Sequence, residues 1–173
     1  MKTKSEKKIN IKKIIGIFVF LSLLFSIGYA TACILYTLAL YSGRLCQVTD
    51  IENKKSDKDY IANRIITCLI MFIGAAGFLI IQQYSGFKTT IFALLAIFKG
   101  IEAFSDILYG VMQKNDILYK SGQSLTIKSV MGLLVFLVVD LLTKNLIYSI
   151  IASILVNLVT IIFFDLVITR ILV

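Results

Sequence analysis

Long apolar runs are the feature that most constrains this chain. A transmembrane helix needs about 20 consecutive, mostly apolar residues, and runs of this length recur along the sequence. Only 16% of the 173 residues are charged, whereas an ordinary soluble domain carries about 25%. The sequence therefore predicts an all-α fold, a polytopic transmembrane helical bundle in contact with the lipid bilayer. A basic cytoplasmic tail at 1–13 precedes the bundle at 14–173, whose helices are predicted at about 14–41, 61–81, 90–113, 125–142 and 146–168.

Short polar connections separate the predicted helices. The pairs Ser85-Gly86 and Ser121-Gly122 predict turns, and Ser56 offers an N-cap oxygen to the second helix. The turn before the last helix is so short that the last two helices must be antiparallel neighbours. The connections are expected at 42–60, 82–89, 114–124 and 143–145.

Basic residues predict which connections face the cytoplasm. Positive charge collects in 42–60 and in 114–128, so these are expected inside and the other two connections outside. The lysine-rich segment 1–13 is also expected inside, although one span over 14–41 would put its two ends on opposite sides. Two explanations stay open. Either 14–41 is a bent or re-entrant pair, or a transmembrane segment is missing near the start, which is the interpretation we favour.

Several classes of function are disfavoured by residue content. The chain has no His, the commonest acid-base group at neutral pH and the commonest zinc ligand. Cys33, Cys46 and Cys68 have no metal-ligand spacing, and there is no Gly-rich phosphate loop. The net charge of +8 lies beside apolar runs, which is typical of membrane anchoring and not of nucleic-acid binding. We therefore expect no enzyme activity, no cofactor, no metal and no nucleic acid.

The helix at 90–113 is the most informative, because it carries charges inside an apolar run. Lys99, Glu102 and Asp106 follow one another at i, i+3 and i+7, so they project from one helix face. A charge near the bilayer centre costs about 2.5–3.5 kcal/mol, so this face must turn into the bundle or a wet cavity. Two interpretations stay open: a Lys99–Glu102 ion pair that only orients the helix, or a cationic or proton-titratable element in a transport path.

Four other polar side chains lie in or near predicted helices. Arg64 stands at the cytoplasmic end of its helix, where it would either snorkel to headgroups or contact a substrate phosphate. Asp140 and Asp165 are expected near helix ends, within reach of water. Asn157 predicts an interhelical hydrogen bond. The candidate substrate-path residues are therefore Lys99, Glu102, Asp106 and Arg64.

Three stretches resemble the oligosaccharide flippases of the multidrug, oligosaccharidyl-lipid and polysaccharide exporter superfamily. The segment 25–32 (FSIGYATA), running into Gly43-Arg44 and QVTD at 47–50, is similar to the second family helix and the loop after it. DY at 59–60, followed by RIIT at 64–67, resembles the start of the third helix. The most specific stretch, FKGIEAFSDILYGVMQK at 98–114, resembles the fourth helix. The resemblance covers roughly 25–168.

This resemblance implies a function. Such proteins move lipid-linked, pyrophosphate-bearing oligosaccharide across the cytoplasmic membrane for cell-surface polysaccharide assembly, and cations such as Lys99 and Arg64 would attract the phosphates. The family has two lobes that rock against each other, whereas this chain resembles one. The resemblance therefore implies a second lobe or another copy as partner, without which we expect no transport. The alternatives are a non-transporting membrane remnant or assembly subunit, or a small-molecule exporter of the same superfamily.

Overall fold

Every described secondary-structure element of the chain is a helix. The computed structural model describes residues 4–50, 52, 54–84 and 86–172, with side chains at 16, 19, 20 and from 22 onward. The C-terminal helix (Leu146–Leu172) contains one π-helical turn between two α-helical parts. The elements are α1 Lys4–Leu40, α2 Gly43–Thr49, α3 Asp57–Gln82, α4 Gly86–Lys114, α5 Leu118–Thr143, α6 Leu146–Thr160, the π-helical turn Ile161–Asp165 and α7 Leu166–Leu172.

The predicted all-α bundle is confirmed, and four helical segments within the described residues are long and apolar enough to cross a membrane. They are Ser22–Thr49, Asp57–Gln82, Leu118–Thr143 and Leu146–Leu172. The chain is accordingly a multi-pass membrane protein. The remaining long helix, α4, spans 29 residues, or about 43 Å, and carries Lys99, Glu102 and Asp106 inside its apolar run. It packs against α1, α2, α3, α5, α6 and α7, so this charged helix lies at the centre of the bundle.

The predicted connections are too long, because polar residues continue the helices beyond their apolar runs. The stretch 42–60 contains all of α2 and the beginning of α3, and 114–124 contains the first seven residues of α5. Only 115–117 separates α4 from α5, so Ser121-Gly122 lies inside a helix and the predicted turn there is wrong. At 82–89, α4 already begins at Gly86, while Ser85 lies outside the described residues.

Helix α1 is one continuous helix from Lys4 to Leu40, about 56 Å long. A bent or re-entrant pair over 14–41 is therefore wrong, and residues 4–13, expected as a tail, are helical. The turn after α1 is at Tyr41 and Ser42, both with positive φ. Lys88 at the start of α4 lies 5.8 Å from the ring of Phe20, so the N-terminal half of α1 lies toward the same end of the bundle as the α3–α4 connection.

Local hydrogen bonds explain the helix ends. Ser56 caps α3 and donates its own N–H to Asp59, as the sequence predicts. Lys144 adopts a left-handed conformation, and the Asn145 side chain accepts the N–H of Ile147, which produces the predicted tight turn between neighbouring α5 and α6. In the exposed α2–α3 connection, backbone N–H groups from residues 54 and 55 donate to Asp50, which lowers the pKa of that carboxyl.

Candidate functional site

The charged face of α4 turns into the bundle. Lys99 is 6% exposed and donates to Glu102 across 2.7 Å, which confirms the predicted ion pair. The ammonium also lies 4.6 Å from the ring centre of Tyr29 and 5.2 Å from that of Tyr36, both on α1. Aromatic faces attract a cation, so α1 supplies the rest of the coordination that Lys99 needs away from water.

Asp106, the third residue of this face, joins three helices. Its two carboxylate oxygens accept from Arg64 on α3 at 3.0 Å and from Arg44 on α2 at 3.4 Å. Arg64 also donates to the backbone carbonyl of Ala39 at the end of α1. Only 2% of Arg64 is exposed, so the prediction that it snorkels to headgroups is wrong. Its guanidinium is held by protein acceptors instead.

The short helix α2 is fixed against α4 by two side chains. Arg44 donates to the side-chain oxygen of Gln113 at 2.8 and 3.2 Å in addition to its contact with Asp106. Gln47 is fully buried against Gly110, where an added Cβ would lie 2.2 Å from the amide oxygen. Because 42–60 was expected to be a loop, Arg44 was not among the predicted site residues. The arginine becomes part of the site because α2 folds back onto the end of α4.

A further ion pair connects α5 to the π-helical turn. Lys128 donates to Asp165 and also to Ser105 and Tyr109 of α4, both at 2.8 Å. The Tyr109 hydroxyl also shares a hydrogen bond with Ser124 on α5 at 3.1 Å. Asp165 is fully buried, so the expectation that its carboxylate reaches water is wrong. The π turn, a distortion common at functional sites, lies where this carboxylate enters the core.

Two other predicted polar residues are less central. Asn157 donates to the backbone carbonyl of Ser153 in its own helix, so the described contacts do not confirm the expected interhelical hydrogen bond. Asp140 is half-buried and accepts from Ser149 across the α5–α6 turn.

A polar cavity of about 160 Å³ lies among these groups. Of the four predicted site residues, Glu102 and Asp106 line it, whereas Lys99 and Arg64 do not. The cations of its lining are Arg44 and Lys128. The remaining lining residues are Tyr36, Phe98, Ser105, Tyr109, Leu125, Ser129 and Asn157.

The charged groups of the core do not cancel. Four cations face three carboxylates: two arginines share Asp106, and the two lysines each have one partner. The network therefore carries a formal charge of +1. Arg44 is the least buried of the four cations, with a side chain that is 30% exposed. Its N–H groups are therefore the most accessible cationic hydrogen-bond donors at the polar cavity.

The polar cavity continues into apolar space. A cavity of about 350 Å³ shares Phe98, Lys128 and Ser129 with it and is otherwise bordered mainly by apolar side chains of α1, α4, α5 and α6. A third cavity, of about 460 Å³, shares Phe25 and Phe136 with the second and reaches the α5–α6 turn. Polar and apolar spaces thus follow one another along α1 and α5.

No metal centre is found among the described residues: none of their His, Cys, Asp and Glu side chains form a group of three that could hold an ion. Cys33, Cys46 and Cys68 are free. No protein-family model, curated protein or solved structure matches the chain.

Proposed function

We propose that this protein is part of a flippase of the cytoplasmic membrane that moves lipid-linked, pyrophosphate-bearing oligosaccharide for cell-surface polysaccharide assembly. The observation that carries the proposal is the polar cavity with its excess positive charge, directly adjoining apolar space in the bundle. An amphiphile with an anionic headgroup matches the polar cavity and the apolar space beside it, because its phosphates need cations and its chain needs apolar walls.

The position of Lys128 places a cation of the cavity inside the bundle. Lys128 lies about 15 Å along α5 from Leu118 and about 22 Å from Thr143. It also lies three residues, about 4.5 Å, inside the predicted apolar run 125–142. An anionic headgroup that enters the bundle from the α4–α5 end would therefore meet this ammonium just inside the span.

The proposed transport step requires that the cavity binds the headgroup and excludes membrane lipid from it. Arg44 and Lys128 would attract the pyrophosphate, and Glu102, Ser129 and Asn157 offer polar partners to the first sugar. Leu133 lines the apolar cavity and is 60% exposed, so a second lobe or another copy of the chain would cover this side of the bundle. Rocking of the two halves would then expose the cavity to each side in turn.

The main alternative is a non-transporting membrane protein or assembly subunit. It is favoured by one observation: the four cations of the core each have a carboxylate partner within the chain. In that case the network only orients helices, and the cavity binds nothing. A small-molecule exporter of the same superfamily would instead take a compound without a lipid chain into the polar cavity.

A binding experiment tests the proposal without depending on a second lobe. The full chain in phosphatidylcholine nanodiscs is titrated with a fluorescent polyisoprenyl-diphosphate sugar. Replacing Arg44 with glutamine is expected to weaken binding about tenfold or more, because a charge-assisted hydrogen bond contributes about 1.5–3 kcal/mol. The matched control is Lys54→Gln, which removes the same charge from a side chain that is 76% exposed.

Equal affinity of the two variants, or no binding by the native chain, would contradict the proposal and favour the non-transporting alternative. Preference for a chain-free organic ion would favour the small-molecule exporter. Surface polysaccharide is then measured in a strain lacking its own flippase, with the chain expressed alone and together with a candidate second lobe. Restoration in either case supports transport.

A further inference from the structure

The short helix α2 lies where the polar cavity approaches the water at the α4–α5 end of the bundle. Arg44 of α2 lines the polar cavity and also lines a surface cavity of about 280 Å³, together with Leu45, Val48 and Gln113. On its α5 side the polar cavity is bordered by Leu125, which is 44% exposed, on a side that lipid covers in a membrane. The helix α2 thus stands at the aqueous approach to the cavity.

Non-helical backbone separates α2 from the long helices on both sides. Tyr41 and Ser42 have positive φ, so the chain bends sharply between α1 and α2. Asp50, directly after α2, is also non-helical, and α3 begins only at Asp57. Residues at the ends of elements are the positions that absorb the backbone changes of a hinge. The geometry therefore allows α2 to move as one unit while α1 and α3 stay in place.

Polar side chains hold α2 against the bundle. Arg44 donates to Gln113 of α4 at 2.8 and 3.2 Å, and Gln47 donates to Asp57 of α3 at 3.0 Å. The amide oxygen of Gln47 is buried without a hydrogen-bond partner among the described groups, which costs free energy in the docked position. Leu45, an apolar residue of α2, is 66% exposed. A segment with few buried apolar contacts opens more readily than a packed core.

Arg44 takes part both in the docking of α2 and in the charge of the cavity. Its guanidinium lines the polar cavity and reaches Asp106 at 3.4 Å because α2 lies against α4. An anion that contacts Arg44 together with Lys128 of α5 would connect α2 to the bundle by a further interaction. Such an anion binds the docked position more tightly than the undocked one, so it shifts α2 toward docking.

We propose that α2 is a hinged lid of the polar cavity, which opens to admit an anionic headgroup and which the bound anion closes. The identity of the anion rests on the proposed function, whereas the hinge and the docking contacts do not. Coupling between two equilibria is reciprocal. A change that keeps α2 away from α4 is therefore expected to weaken anion binding as well.

Two glycines of α4 provide a matched pair of variants. An added Cβ at Gly110 would meet the side-chain amide of Gln47 on α2, whereas one at Gly100 would meet the ring of Phe72 on α3. Both alanine variants disturb the packing of α4, but only Gly110→Ala is expected to hold the lid open. Hydrogen–deuterium exchange of the full chain in phosphatidylcholine nanodiscs is followed by mass spectrometry. We expect exchange in 43–49 to be about tenfold faster in Gly110→Ala and unchanged in Gly100→Ala, because undocking exposes these amides.

A cysteine in the cavity reports the opening itself. Asn157 lines the polar cavity and is 6% exposed. In a chain without native cysteines, Asn157→Cys should therefore react slowly with a membrane-impermeant thiol reagent while the lid is closed. We expect this reaction to be faster when Gly110→Ala is added and unchanged when Gly100→Ala is added.

Two further variants distinguish an open lid from a damaged bundle. Gln47→Ala shortens the side chain that the new Cβ would meet, so the double variant with Gly110→Ala should exchange and react more slowly than Gly110→Ala alone. Gln113→Ala removes an acceptor of Arg44 and should open the lid without adding a clash. Far-UV circular dichroism and size-exclusion profiles show which variants remain folded.

Inorganic pyrophosphate tests whether an anion closes the lid. At about ten times its dissociation constant it should slow exchange in 43–49 about tenfold in the native chain, because a ligand of the docked position stabilises that position by mass action. Arg44→Gln is expected to abolish this protection. Lys54→Gln, which removes a charge from an exposed side chain, should leave it unchanged.

The outcomes separate the lid from the proposed function. Equal exchange and equal labelling of the two alanine variants would overturn the lid, and so would unchanged or faster exchange in 43–49 with pyrophosphate. Failure of the lipid-linked sugar to bind, with the difference between the alanine variants intact and pyrophosphate still closing α2, would instead overturn the proposed function. In that case α2 is the lid of a cavity for another anion.

Discussion

The buried pair of Lys128 and Asp165 provides the sharpest test of the core as the structure describes it. The Lys128 side chain is 7% exposed and that of Asp165 is fully buried. One oxygen of the Asp165 carboxylate has no hydrogen-bond partner among the described groups. We predict that Asp165→Asn and Lys128→Met each destabilise the protein strongly, and that the double variant is more stable than either single one.

The magnitude depends on whether a charge is left unpaired. Neutral interhelical hydrogen bonds in membranes contribute only about 0.6 kcal/mol on average, whereas removing one partner of a buried ion pair costs about 3–5 kcal/mol. In Asp165→Asn the ammonium keeps the hydroxyls of Ser105 and Tyr109, so we expect about 3 kcal/mol. Lys128→Met leaves a buried carboxylate, for which we expect about 4 kcal/mol. The double variant removes both charges and should cost about 1–2 kcal/mol.

The free energy of unfolding is measured by titration with sodium dodecyl sulfate in mixed micelles, followed by far-UV circular dichroism, since the chain has no tryptophan. The control is the exposed pair of Glu52 and Lys54, whose side chains are 73% and 76% exposed. Glu52→Gln and Lys54→Met are expected to change stability by less than about 1 kcal/mol. Additive effects of Asp165→Asn and Lys128→Met would refute the reasoning, because they would mean that water stabilises each charge independently.

Packing and sidedness give two further predictions. Gly100→Ala is expected to cost about 1–3 kcal/mol, since its Cβ would lie 2.4 Å from the Phe72 ring. Gly122→Ala, which meets nothing within 4 Å, should gain up to about 1 kcal/mol in the same titration, and equal effects would contradict the packing. Single cysteines replacing Lys54 or Lys144, in a chain without native cysteines, test sidedness with an impermeant reagent. Labelling from outside is expected only at 144, and the reverse pattern would show an inverted orientation.

The helical class and the five long helices could be predicted from the length of the apolar runs, whereas the short helix α2 could not, because it lies in a polar stretch. The helix ends could not, since polar residues such as those at 118–124 continue a helix after it leaves the apolar run. This error had a consequence for the site. The charge pattern assigns Lys128 to a cytoplasmic connection, although this residue lies ten residues inside α5 and is buried. Because the predicted beginning of α5 is wrong, Lys128 is not recognised as a partner in a buried ion pair.

The charged face of α4 was recognisable because its three members belong to one helix with a fixed period. Their partners lie on other helices, and sequence spacing does not report which helices meet. The depth of a charged residue along its helix gives one usable signal of pairing. Lys128 lies about 22 Å before the end of α5 and Asp165 about 28 Å after the beginning of α6. Two opposite charges at similar depth in antiparallel neighbours are candidates for pairing, because either one alone would be costly in lipid.

The position of α4 follows from the same cost. Exposing Lys99, Glu102 and Asp106 to hydrocarbon would cost roughly 8–10 kcal/mol, comparable to the whole stability of an ordinary domain. The helix is therefore stable in the bilayer only when α1, α2 and α3 supply the aromatic rings and the arginine partners of its charges. A substitution at Asp106 removes the shared partner of both arginines, so it weakens the assembly of the bundle together with the cavity. Functional measurements on this residue separate the two effects only when the folded fraction is measured in the same sample.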